Sequence, residues 1–311
     1  MVAVGAGCTG WLGAETLLTG ESPMVIPNTT GRFDFIEMDQ GAERLLAAHT
    51  GNGTLDVFDA EGKLLKAVRT GKAQAVAVDA MHGQYYVAVS EQRKIVTVKA
   101  ATLEVLDDTP LMGPADLIAY DPKNHTAYAG HDDGAEVWAV NLNEAKTTSI
   151  AIPEGPEGIV YDGKSDRVYA NAKSGDVVVV IDPGTNKAVA SWPTAPVKGP
   201  HGSALDAEGQ RLFVVGGNGK LVAFDLKTGK IVSWVEVAAK VDEIAYDAGL
   251  HRIYCASGSG VLSVVDATGE LKALGEVPTH QGAHSVAVDE KSHAVWIAYG
   301  EGSESYIQRF K

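Results

Sequence analysis

Cysteine, basic residues and long apolar runs are scarce in this chain, and each scarcity excludes something. There are two cysteines, Cys8 and Cys255, so no pair of Cys-x-x-Cys motifs exists and no bridge between them is expected. Cys255, in the middle of Arg252-Ile253-Tyr254-Cys255-Ala256, reads as a small buried thiol. Lys and Arg number 26 against 40 Asp and Glu, a net charge of −14. Binding to phosphate backbones needs clustered cations, and no basic stripe is present, so nucleic acid is excluded as a partner. No apolar run approaches the roughly 18 residues that span a membrane as a helix. A sustained 3.6-residue apolar period is missing too, which removes helical solenoids. Catalytic signatures are equally absent: there is no Gly-x-Ser-x-Gly elbow, no phosphate-cradling glycine loop and no His-Glu-x-x-His.

What is present is a repeat. From Glu157 to Pro193 the sequence gives four short runs rich in Val, Ile and Tyr, each stopped by Gly, Asp, Asn or Pro. Such runs are strands, and turns this short join them into an antiparallel meander. The first run ends on Asp162, and equivalent aspartates stand at 39, 79, 121, 206, 247 and 289, spaced 40, 42, 41, 44, 41 and 42 residues apart in chain order. A period of roughly 40–45 residues with four strands per unit predicts an all-β, seven-bladed β-propeller of four-stranded antiparallel blades. The 35 glycines fall mainly at the turns.

The ends divide the chain into a leader, residues 1–21, and one propeller domain, residues 22–311. Ala6-Gly7-Cys8 resembles the small-residue run before a bacterial lipoprotein cysteine, which makes Cys8 a weak candidate for a lipid anchor. No Lys or Arg precedes it and the apolar stretch is short, so a complete export signal is not evident. The last repeat runs out at its third strand, Tyr306-Ile307-Gln308-Arg309-Phe310. Pro23-Met24-Val25-Ile26-Pro27-Asn28 resembles a fourth strand and is expected to join that blade, closing the ring.

Five residues before each repeat aspartate stand Asp34, Gln74, Asp116, Glu157, His201, Asp242 and His284. These positions begin the innermost strands, at the rim of a central channel, and all seven are polar. A wet channel mouth accounts for polarity alone, but converging carboxylates and imidazoles also suit a divalent metal or a cationic ligand. His201, Asp242 and His284, from consecutive blades, are the candidate metal ligands. Asp34, Gln74, Asp116 and Glu157 are candidate ligand-binding residues. His49 and His131, which end second strands, are placed with them at the same mouth. Groups more than ~10 Å apart cannot share one ion, so at most three or four converge on a metal. His82, His125, His251 and His293 fall in the turns at the opposite pole and read as turn chemistry. The tryptophans at 138, 192, 234 and 296 read as packing between blades.

Tyr169-Ala170-Asn171, Val177 to Asp182 and Thr185-Asn186-Lys187-Ala188-Val189-Ala190 resemble the repeat of the YVTN, YncE-like family of seven-bladed propellers. Two residues of the namesake tetrapeptide are kept at 169–171, and the resemblance extends over about residues 22–311. It implies a prokaryotic, periplasmic or extracellular propeller. Members of this and neighbouring families include binding proteins, surface-layer proteins, redox-complex subunits and lactonase-like enzymes. The expected function is non-catalytic: a binding or scaffold propeller that holds a protein partner or a small polar ligand, with a divalent metal as the cofactor to test for. The alternative is a metal-dependent, lactonase-like hydrolase or redox-complex subunit built on the same mouth.

Overall fold

A computed structural model describes residues 17–311; the leader before them, Cys8 included, lies outside the described residues. Among the described residues seven four-stranded antiparallel sheets form, and no helix is long and apolar enough to cross a membrane. Blades 1 to 6 occupy residues 36–69, 73–110, 117–151, 156–193, 200–236 and 241–278. Each is a meander whose strand order in the sheet follows the chain. The seventh sheet is different. Its first three strands span residues 285–310, and its outermost strand is Met24–Val25, with Met24 opposite Ile307 and Val25 opposite Tyr306.

The apolar runs meet between blades, face to face. Each seam holds one cluster, for example Leu46, Val57, Tyr85 and Val87 between blades 1 and 2. Ile36, Phe58, Ala287, Trp296 and Ile26 fill the seam that joins blade 7 back to blade 1. Burying a Val, Leu or Ile side chain contributes about 1.5–3 kcal/mol, so the seams are the main favourable term. The innermost strands contact one another in an unbroken cycle around the channel. The chain is a seven-bladed β-propeller.

The repeated aspartates explain why each innermost strand stops where it does. All seven are buried, and each accepts backbone N–H groups from two or three residues further on, as Asp39 does from Gly41 and Ala42 and Asp247 from Gly249 and Leu250. This is an Asx turn, which satisfies the donors that the reversing chain would otherwise bury. Four residues past every aspartate the backbone is left-handed, at Glu43, Gly83, His125, Asp166, Gln210, His251 and His293. Three histidines expected as turn residues therefore occupy one conformational slot of the repeat. At some seams the next blade adds a partner: the Tyr85 hydroxyl donates to Asp39 at 2.8 Å, and His293 Nδ1 meets Asp247 at 2.8 Å.

Candidate functional site

The seven rim positions line one cavity of about 390 Å³ at the channel mouth. Where strands of neighbouring blades come closest, glycine is required: a Cβ on Gly158 would stand 2.4 Å from the His201 carbonyl, and one on Gly202 2.6 Å from that of Asp242. This close approach brings the rim side chains of blades 4, 5 and 6 within reach of one another.

They form a chain in which carboxylates alternate with nitrogen groups. Lys173 Nζ donates to Glu157 Oε1 at 2.6 Å, and Glu157 Oε2 stands 3.2 Å from His201 Nε2. His201 Nε2 is also 3.3 Å from Asp242 Oδ1, whose other oxygen lies 3.0 Å from His284 Nδ1. Burial acts to raise Asp242, but the His284 hydrogen bond and the His201 and His284 charges outweigh it and hold the carboxyl below its ordinary range. Burial likewise acts to lower His284, and Asp242 more than offsets it, so the imidazole is pushed up. His201 Nδ1 is buried without a partner.

Across the mouth a second group forms. Gln74 donates to Asp116 Oδ1 at 3.0 Å, and His131 Nε2 lies 3.4 Å from Asp116 Oδ2. His131 Nδ1 accepts from the Asp133 N–H at 3.1 Å and stands 3.5 Å from Asp132. One ligand atom from each of Asp116, His131 and Asp132 lies within 4.8 Å of the others, the spacing of a metal group. Asp34 is set apart, with Arg32 3.8 Å away. Its carboxyl is pushed up to about 7, chiefly by burial, which the Arg32 and His284 charges only partly offset.

Eight of the nine expected site residues thus meet at one mouth. The three candidate metal ligands stand in a row: His201 and His284 take different oxygens of Asp242. His49 is the correction. Its side chain points away from the mouth into the seam between blades 1 and 7, fully buried. There it stacks on Phe33 at 4.0 Å, with Asp56 2.7 Å from Nδ1 and Ser305 Oγ 3.0 Å from Nε2. Side chains alternate along a strand, and His49 falls on the seam-facing side.

Sequence reasoning missed the carboxylates deeper in the channel. Below the mouth a second cavity of about 340 Å³ is lined by Glu37, Glu243 and Glu290 among apolar groups. Glu37 can be reached by water inside the channel, yet protein encloses it on every side. Burial pushes its carboxyl up to about 7, and burial also drives Glu243 well above the ordinary range although the Val286 N–H donates to it. The sequence signal is a single departure from the repeat. Position 37 holds Glu where the other six repeats have Ala or Val, at 77, 119, 160, 204, 245 and 287.

Comparison with known proteins supports the fold and little more. Residues 174–303 match a family model described as outer membrane protein assembly factor BamB, so these blades carry repeats of that type. No curated protein matches in sequence. A chain of the Kuenenia stuttgartiensis hydrazine synthase has a similar structure, with a TM-score of 0.75 and 15% identity over 88% of this chain and 94% of that one. So does a chain of a mitotic checkpoint complex, with a TM-score of 0.80 and 12% identity over 99% of this chain and 97% of that one. At such identities the likeness is one of fold alone.

Proposed function

We propose that this protein is a non-catalytic binding propeller whose channel mouth holds a cationic ligand, either a divalent metal ion or the ammonium group of a small molecule or partner protein. The observation that carries the reading is the composition of the mouth. Asp116, Asp132, Glu157 and Asp242 line it against two fixed cations, Arg32 and Lys173, while Asp34 and Glu243, pushed up by burial, add less to its charge. Low-dielectric walls concentrate such a field, and cations gain most from it. BamB-type repeats and neighbours drawn from multi-subunit assemblies are consistent with a scaffold or complex subunit. The YVTN-like affinity and a periplasmic or extracellular location belong to the same proposal.

Calorimetric titration with a divalent-ion series and with organic ammonium ions tests it. Binding is expected to weaken at least tenfold, about 1.4 kcal/mol, in both Glu157→Gln and Asp242→Asn. Failure of every cation to bind, or unchanged affinity in both variants, overturns the reading. The spacing of Asp116, His131 and Asp132 favours a second reading, in which a metal at the mouth polarises a carbonyl for hydrolysis. Lactone turnover that disappears in His131→Ala would establish that reading in place of the first.

A further inference from the structure

Three seams at the pole opposite the mouth are built alike, and one of them departs in a way that points to a bound ion. In each, a tyrosine preceding the repeat aspartate meets the residue five positions on. Tyr120 OH lies 2.6 Å from His125 Nδ1, Tyr161 OH donates to Asp166 at 3.1 Å, and Tyr246 OH lies 2.9 Å from His251 Nδ1. The aspartate of the preceding blade, Asp79, Asp121 or Asp206, stands beside each tyrosine hydroxyl. Two of these seams carry a fixed cation. Lys123 pairs with Asp166, and Arg211 grips Asp206 with Nε at 3.0 Å and Nη2 at 2.8 Å.

The seam between blades 2 and 3 carries none. The repeat position of Arg211 is Gln84 in blade 2, and the place of the cation beside Asp79 is taken by two imidazoles. His82 Nδ1 is 2.7 Å from Asp79 Oδ2, and the His82 and His125 rings meet edge to face at 4.9 Å. One ligand atom from each of the three lies within 4.8 Å of the others. Ligands about 2 Å from a single ion stand roughly 3.3 Å apart in a tetrahedron, so small side-chain rotations close this set.

We propose that Asp79, His82 and His125 bind a divalent transition-metal ion of the zinc class, which clasps blade 2 to blade 3. Two imidazole nitrogens and one carboxylate suit Zn²⁺ or Co²⁺ and disfavour the all-oxygen ions Ca²⁺ and Mg²⁺. The Tyr86 hydroxyl, 3.0 Å from Asp79 Oδ2, fixes the carboxylate from outside the coordination shell. Asp79 is closed off from solvent, while the His82 side chain is 45% exposed, which gives the ion a way in and leaves a position for water.

The test uses Co²⁺ and Zn²⁺ with the full chain. His125→Gly is the first variant, because blade 2 already has glycine in that left-handed slot, at Gly83, and the substitution leaves the turn intact. His82→Ala is the second, and a His131→Ala, His201→Ala, His284→Ala triple variant removes the imidazoles of the mouth. The proposal expects Co²⁺ to give visible absorption bands of nitrogen ligation in the wild type and the triple variant, and none at this site in the other two. Zn²⁺ at a hundredfold excess over its Kd should raise the melting temperature by about 5 °C, with most of the rise lost in His125→Gly. Undiminished Co²⁺ bands and Zn²⁺ stabilisation in both His125→Gly and His82→Ala, or loss of both in the triple variant alone, would overturn it.

Discussion

Glu37 shows how one residue can set the pH response of the whole ring. Its pKa near 7 in the folded state, against about 4.5 in an unfolded chain, means that folding holds its proton more tightly. The favourable contribution is complete below about pH 4.5 and is lost as pH rises through 7. Asp34, also pushed up to about 7, has the same sign. Replacing Glu37 by Gln keeps the acceptor that the Met38 N–H uses and removes the buried charge. Discounted for water in the channel, the variant should be more stable than wild type by about 1–2 kcal/mol at pH 8 and no different at pH 4.5. Urea unfolding at the two pH values measures this, and equal stability at pH 8 would remove Glu37 as a titrating group. The same residue marks a limit of sequence reading. The rim was visible because seven repeats agree on polarity, whereas Glu37 is one exception in a column of Ala and Val. His49 was misplaced for a related reason: periodicity located the end of its strand at the mouth, but which way its ring turned depended on Phe33 and Ser305 of other segments.

At the level of strands, the N-terminal segment is held far more firmly than its two-residue sheet pairing suggests. Thr19 and Lys311 exchange backbone hydrogen bonds at 2.6 and 3.0 Å, and Glu21 binds Arg309 and Lys311 through its side chain. Ile26, 2% exposed, sits beside Phe33 and Trp296 in the seam between blades 7 and 1. Ile26→Ala is expected to cost about 2–4 kcal/mol, and deletion of residues 22–29 should lower the melting temperature sharply. Thermal unfolding followed by circular dichroism checks both, and an unchanged midpoint in the deletion would show that the outer strand is dispensable. This element was readable from arithmetic: the last repeat was one strand short, and residues 23–28 resembled the missing piece. The repeat was readable from arithmetic too, since an Asp at a near-constant interval ends each innermost strand. The chain of contacts from Lys173 to His284 was not, because it depends on how closely the glycines at 158 and 202 let neighbouring strands approach.

Over the whole molecule, the charge of −14 and the acidic mouth act together on anything that arrives carrying positive charge. A field of this kind speeds encounter more than it tightens the complex, and salt screens it over a Debye length of about 10 Å at 0.1 M. Association of a cationic ligand, measured by stopped flow, should therefore slow several-fold between 10 and 150 mM salt while dissociation changes little. A salt-independent association rate would mean that the field of the mouth does not guide the ligand.

The pairing of Thr19 with Lys311 also fixes how the ring responds to force. Because the two segments run antiparallel with these residues side by side, tension applied between them meets one hydrogen-bonded pair at a time. The pairs open in sequence from Thr19 through Glu21 and Met24 to Val25, as in peeling rather than shearing. A ring held together by seven packed seams is therefore mechanically weakest where its first and last described strands meet.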